Sequence, residues 1–205
     1  MTERGTKGFL IVVEGVDGAG KSTVLRHLAA HCETRGRMVI TSREPTNGLH
    51  GRRLRESASR GRLPLDAELD LFVLDRREHV AELILPGLER DAVVLLDRYY
   101  FSTAAYQGAR GADPVEVLRR NEAFAPEPDL VLLLDCEPTL SLERIGARGG
   151  GADAFEGLEA LEAVRRIFLS IQRPFIRVVD ASGTPESVAA ACAAHLEETL
   201  SARPG

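Results

Sequence analysis

Lysine is nearly missing from this chain: Lys7 and Lys21 stand against 24 arginines, so a lysine at a chemically sensitive position carries information. Cysteine is sparse too. Cys32, Cys136 and Cys192 are odd in number and far apart, which argues against a disulfide framework or a CxxC metal site. The lone C-x-x-H of Cys192 and His195 lies in an alanine-rich amphipathic stretch and reads as a buried thiol beside a surface histidine. No apolar run reaches the length of a membrane span, and the polar stretch Met1 to Lys7 precedes no signal-like core, so a cytoplasmic protein is expected. Positive charge is lacking overall. A net charge of −5 disfavours a nucleic-acid-binding surface while leaving room for a local basic pocket. No repeat and no low-complexity linker divides the 205 residues, which suit a single domain over residues 1–205.

What is present alternates. Short apolar runs at Phe9–Glu14, Met38–Ser42, Ala92–Asp97, Leu130–Asp135 and Ile176–Asp180 read as strands, and their continuous apolar character suggests burial on both faces. Between them, helical patterns cover Lys21 to about Thr34, Arg52–Arg60, Asp66–Glu89, Pro114–Asn121, Thr139–Ala147, Glu159–Gln172 and Pro185–Leu200. The pattern predicts an α/β fold with a five-stranded parallel sheet and helices on both faces. Ligands in such sheets bind at the carboxyl ends of the strands.

The first of those ends carries the strongest motif. Gly15-Val16-Asp17-Gly18-Ala19-Gly20-Lys21-Ser22-Thr23 fits G-x-x-x-x-G-K-[ST], a loop whose backbone N–H groups cradle a nucleotide's phosphates. Glycine relieves the backbone so that successive N–H groups can face the anion, and the following helix adds its positive end. Lys21 is expected to reach the β- and γ-phosphates and Ser22 to hold Mg²⁺. Asp97 closes an apolar strand before Arg98 and is the candidate second metal ligand; Asp135 closes a similar strand and competes for that role. Arg43, Arg98 and Arg148 fall at loop edges near the phosphate loop, where a planar fork suits phosphate.

Five motifs carry a family resemblance: E-G-V-D-G-A-G-K-S-T, S-R-E-P-T, L-F-V-L-D-R-R-E-H-V, L-D-R-Y-Y-F-S-T-A-A-Y-Q-G and P-D-L-V-L-L-L-D. In order and spacing, from Phe9 to about Arg166, the chain resembles the thymidylate kinases. The resemblance implies a phosphate-loop nucleoside monophosphate kinase fold, transfer of phosphate from ATP·Mg²⁺ to dTMP, and a homodimer. It implies that Asp17 meets the deoxyribose 3′-hydroxyl, that Arg43 and Arg98 clamp the dTMP phosphate, and that Ser102 lies at the same site. Phe72 would stack on thymine, Arg76 would donate to its carbonyl, Gln107 would help read the base edge, and Tyr106 would exclude a ribose 2′-hydroxyl. Taken alone, Phe72 with Leu69 reads equally as core, and Arg76 as a partner of Glu78 or Asp75.

Two departures from the family pattern bear on the site. Asp153-Ala154-Phe155-Glu156 lacks the arginine common after the lid, and R-E-P-T-N-G replaces R-E-P-G-G-T. The phosphate loop holds no arginine either, so the lid segment at about 144–156 is expected to supply the catalytic cation through Arg144 or Arg148, one helical turn apart. A related nucleotide or nucleoside kinase with another base specificity would share every phosphate-handling residue. A nucleotide-operated switch is disfavoured because no N-K-x-D motif occurs.

Overall fold

The structure, a computed structural model, describes residues 8–147 and 154–202. In chain order the elements are β1 (Phe9–Gly15), α1 (Lys21–Glu33), β2 (Val39–Arg43), α2 (Leu49–Arg60) and α3 (Leu65–His79). A π-helical turn at Val80–Ile84 leads to α4 (Leu85–Glu89), β3 (Val93–Asp97), α5 (Tyr100–Gly108) and α6 (Pro114–Glu122). The chain continues through β4 (Leu130–Asp135), α7 (Pro138–Gly146), α8 (Ala154–Ser170), β5 (Ile176–Asp180) and α9 (Pro185–Ala202).

The strands form one parallel sheet in the order β2-β3-β1-β4-β5. Parallel register brings Arg43 beside Asp97 and Gly15 beside Leu134, so the carboxyl ends gather at one edge. The strand order reverses around β1, and the crevice that such a reversal opens lies next to the phosphate loop. Strands β1 and β4 and all of β3 but its last residue are almost wholly buried, as their apolar runs predict. The edges differ. β2 and β5 are partly exposed because each has a neighbour on one side only, which corrects the expectation of burial on both faces.

Several element boundaries also move. The helix expected over Asp66–Glu89 is broken by the π turn, and the cause is Pro86, which lacks the N–H that an α-helix would direct at the Glu82 carbonyl. Helix α2 starts at Leu49, three residues before the expected start, which shortens the loop after β2. Helix α8 starts at Ala154 instead of Glu159. The sequence pattern did not announce α5 at all. It is buried on nearly every side, Tyr100 to Ala105 and Gln107 included, so it shows no polar stripe.

Helix α5 also has an unusual start. Its N-cap residue Tyr99 provides no side-chain cap, and Glu14, at the end of β1, serves from across the sheet. Glu14 Oε1 accepts from the backbone N–H of Tyr99 at 2.8 Å and of Ser102 at 3.1 Å, while Oε2 accepts from Ser102 Oγ at 2.5 Å. A carboxylate at a helix N-terminus is favourable for both the orphan donors and the dipole. Burial nonetheless dominates, pushing the Glu14 carboxyl up to about 7 against those hydrogen bonds and the charge of Arg98.

Candidate active site

Between β1 and α1, the phosphate loop takes the shape that its glycines allow. Gly18 has φ +85°, and a Cβ there would meet the Ser141 carbonyl oxygen at 2.5 Å, so the position is closed to any side chain. Gly20 (φ +98°) caps α1 without a side-chain hydrogen bond, and the first turn of α1 carries no acid. The helix start thus offers backbone donors and a positive dipole end to an anion. Lys21 lies buried beneath the loop, donating from Nζ to the carbonyls of Gly15 at 3.0 Å and Val16 at 2.9 Å. Burial, followed by repulsion from Arg98, draws its ammonium down to about 8 against the attraction of Asp17, Asp97 and Glu14.

The metal candidates meet directly. Ser22 Oγ donates to Asp97 Oδ2 at 2.9 Å, setting two hard oxygen ligands side by side at the loop. That pair fits Mg²⁺, which takes one or two protein oxygens and completes its octahedron with water and substrate phosphate. Asp135 is differently engaged: Arg165 grips it from Nε at 2.6 Å and from Nη2 at 2.9 Å. Among the described residues no group of three or more histidine, cysteine, aspartate or glutamate side chains gathers as a metal centre. On the far side of the loop, a cavity of about 150 Å³ is lined by Gly18, Gly20, Arg144, Ala181 and Val188, among others. Arg144 donates there to the Ala181 carbonyl at 3.0 Å, which places it at the cleft wall.

A second cavity, of about 240 Å³, opens on the other side of Asp17. Asp17, Arg98 and Tyr106 form its mouth: Arg98 Nη2 donates to Asp17 Oδ1 at 2.6 Å and to Tyr106 Oη at 3.1 Å, and Tyr106 Oη donates to Asp17 Oδ2 at 3.0 Å. Arg98 Nη1 donates to Ser102 Oγ at 2.8 Å, and the guanidinium sits 4.8 Å above the Tyr106 ring. Arg98 itself has φ +73°, a left-handed conformation rare for a side chain other than glycine. Such strain persists where surrounding contacts over-determine it, and it marks functional sites. Burial opposes charge on Asp17, but Arg98, Lys21 and Tyr106 outweigh it and hold the carboxyl below its usual range.

The floor of this cavity is a buried polar cluster. Arg76, 1% exposed, donates from Nε and Nη2 to Glu44 Oε2 at 2.8 and 2.6 Å, from Nη1 to Asn121 Oδ1 at 2.5 Å, and from Nη2 to Thr103 Oγ1 at 3.0 Å. His79 shares the same carboxylate. A carboxylate only accepts, so His79 Nδ1 carries the proton and donates to Glu44 Oε1 at 3.0 Å, while Nε2 meets Ser42 Oγ at 2.8 Å. Burial would raise the Glu44 carboxyl, yet Arg76 and His79 overcome this and keep it below the usual carboxylate range. Phe72 and Gln107 line the walls.

The structure therefore gathers Asp17, Phe72, Arg76, Arg98, Ser102, Tyr106 and Gln107 around one cavity, and Gly15 to Thr23 with Asp97 beside it. Arg43 stands apart from that lining, exposed at the end of β2 next to Asp97. Arg148 and the rest of the lid stretch 148–153 lie outside the described residues. Arg76 pairs with Glu44, not with Glu78 or Asp75; Asp75 is instead taken by Thr46, whose N–H and hydroxyl donate to it at 2.8 and 2.6 Å. Glu14, Glu44, His79 and Asn121 were missed. Glu14, Glu44 and His79 stand inside the quoted motifs and Asn121 outside them, but nothing local assigns these residues a role, since their partners come from other elements.

Known proteins resemble the chain over most of its length. A family model described as thymidylate kinase matches residues 13–191. A thymidylate kinase of Akkermansia muciniphila is 52% identical over 184 residues, covering 90% of this chain and 89% of that protein. One from Xanthomonas campestris pv. campestris is 50% identical, covering 88% and 79%, and one from Xylella fastidiosa is 46% identical, covering 97% and 91%. With the phosphate loop, the Asp17–Arg98–Tyr106 junction and this match over most of its length, the chain belongs to the thymidylate kinase family.

Proposed function

We propose that this protein transfers the γ-phosphoryl group of ATP to dTMP, giving dTDP and ADP. The observation that carries the reading is the placement of Arg98 and Asp17 between a phosphate-loop cleft and a separate cavity with a polar, donor-bearing floor. A donor nucleotide in one and an acceptor monophosphate in the other would meet at that junction. The cavity beside Arg144, Ala181 and Val188 suits the adenine of ATP, and the phosphate-loop N–H groups with Lys21 suit its phosphates. Arg98 and the exposed Arg43 would hold the acceptor phosphate, bringing its oxygen into line for displacement. Asp17 would orient the 3′-hydroxyl, Tyr106 would close the space at C2′, and Phe72 would cover the ring while Arg76, Thr103 and Gln107 meet its polar edge.

Mg²⁺ held by Ser22 and Asp97 would supply charge neutralisation on the β- and γ-phosphate oxygens. The cation that stabilises the transferring group would come from the lid at about 144–156, from Arg148 or Arg144. Because Arg144 is hydrogen-bonded at the cleft wall, Arg148 is the preferred residue. We propose further a single-domain chain and a homodimer. Leu49 on α2, Leu74 on α3 and Leu85 on α4 are apolar side chains left exposed, the kind of surface such an interface would cover. No helix among the described residues is long and apolar enough to cross a membrane. Three free, buried thiols suit a cytoplasmic setting.

The test is a panel of dTMP, dUMP, dCMP, UMP and AMP with ATP and Mg²⁺, scored for diphosphate formation. Strong preference for the thymine and uracil deoxynucleotides is expected, with dTMP ahead of dUMP by about 10- to 200-fold for one methyl in an apolar pocket. Equal use of AMP or UMP would contradict the assignment of the cavity.

A further inference from the structure

Arg98 stands at the junction of the two cavities, and the last residues of β1 tie it down at three points. Its own backbone N–H donates to the Val13 carbonyl at 3.0 Å. The next N–H along the chain, that of Tyr99, donates to Glu14 Oε1 at 2.8 Å. The third tie reaches the side chain through an intermediary: Arg98 Nη1 donates to Ser102 Oγ at 2.8 Å, and Ser102 Oγ donates in turn to Glu14 Oε2 at 2.5 Å. A hydroxyl has one proton to give, and with Glu14 taking it, Oγ is left as an acceptor for the guanidinium. The other side-chain partners of Arg98 differ in kind. Asp17 is more than half exposed at its side chain, and both Asp17 and Tyr106 line the cavity that a substrate would fill. Glu14 is fully buried and lines neither cavity, so it acts on a bound molecule only through other residues. The left-handed backbone of Arg98, at φ +73°, persists only where such ties over-determine it.

We infer that Glu14 is a positioning residue for the acceptor phosphate: through Ser102 and the Tyr99 N–H it fixes the backbone and guanidinium of Arg98 in the orientation that receives the phosphate, so that its loss weakens the hold on the phosphate and leaves the hold on the nucleoside. This rests on the reading of Arg98 as the clamp of the acceptor phosphate. The role requires a carboxylate. Oε1 is met by two backbone N–H donors and Oε2 by a hydroxyl donor, so both atoms have to accept, and an amide offers one oxygen only. In Glu14→Gln the amino group either faces the Tyr99 and Ser102 N–H groups, donor against donor, or donates to Ser102 Oγ. In the second case the hydroxyl proton has lost its acceptor and turns toward the side that Arg98 occupies.

The experiment measures equilibrium binding of dTMP and of thymidine, which lacks the phosphate, to the wild type, Glu14→Gln, Ser102→Ala, Arg98→Ala and the Glu14→Gln/Arg98→Ala double variant, with an unfolding midpoint for each. Work at pH 8 keeps Glu14, raised to about 7, in its ionised form. Glu14→Gln and Ser102→Ala are each expected to weaken dTMP about five- to tenfold, the range that the loss of one hydrogen bond supports, and to leave thymidine within about twofold. In the Arg98→Ala background, Glu14→Gln should change dTMP binding no further, because the residue it acts through is gone. If Glu14→Gln does not fold, Glu14→Asp keeps the charge on an arm too short to hold both the N–H groups and Oγ, and carries the same expectation. Equal losses for dTMP and thymidine, wild-type dTMP affinity in the folded Glu14 variant, or an undiminished loss in the Arg98→Ala background would overturn the proposal. A wild type that binds thymidine as tightly as dTMP would overturn the reading of Arg98 as the phosphate clamp and this inference with it. A phosphate-dependent gain that Arg98→Ala removes and the Glu14 variants keep would overturn the inference alone.

Discussion

Glu44→Ala should be among the most destabilising single changes in the molecule, although Glu44 lies in the loop after a partly exposed edge strand. Its carboxylate takes both Nε and Nη2 of Arg76 and also Nδ1 of His79, and neither Arg76 nor His79 is exposed enough for water to replace it. Removing one partner of a buried pair strands the other charge, at a cost of about 3–5 kcal/mol. For a chain of this length each kcal/mol moves Tm by about 2–4 °C, so a fall of roughly 6–20 °C is expected. Glu44→Gln should cost less, since its oxygen still serves Arg76 and the amino group can face His79 in its other tautomer. Thermal or urea unfolding of the three proteins at pH 7.5 supplies the measurement. The sign with pH follows from the lowered carboxyl: the contribution is present above the ordinary carboxylate range and is lost as pH falls through the lower folded value. An Ala variant within about 1 kcal/mol of wild type would refute the reasoning, because it would mean that Arg76 is held without its counter-ion.

Lys21→Ala should remove useful phosphoryl transfer while leaving the unfolding midpoint near wild type, because Nζ bonds only loop carbonyls; steady-state kinetics beside thermal unfolding decide it. Arg148→Ala should lower kcat by about 100-fold or more with KM for ATP changed only a few-fold, and normal kcat in both this variant and Arg144→Ala would send the search to Arg43 or Arg98. Glu14 has a folded value raised from 4.5 to about 7, so wild type should lose stability relative to Glu14→Gln as pH rises across that window and run parallel to it above. Parallel stability curves from pH 4.5 to 8 would show that Glu14 titrates normally in the fold.

The phosphate loop was legible because its chemistry is local: glycines, Lys21 and Ser22 occupy one short stretch, and the strand before and helix after it are strongly patterned. The central strands were legible for the same reason, as continuous apolar runs. Helix α5 was not, since a helix enclosed on all sides has no polar face to set its period, yet it brings Ser102, Tyr106 and Gln107 to the cavity. The Glu44–Arg76–His79–Asn121 cluster was not legible either. It joins the end of β2 to α3 and α6, and a glutamate before proline looks like a solvated turn until those elements pack over it.

The central claim is transfer between two bound nucleotides, and following the label from [γ-³²P]ATP tests it most directly. With dTMP and Mg²⁺ present, the account predicts that the label moves to the β-phosphate of dTDP, with one ADP formed per dTDP and little inorganic phosphate. Label released as inorganic phosphate at the same rate with or without dTMP would contradict it, for the phosphate loop would then serve hydrolysis and the cavity behind Arg98 would not hold the acceptor.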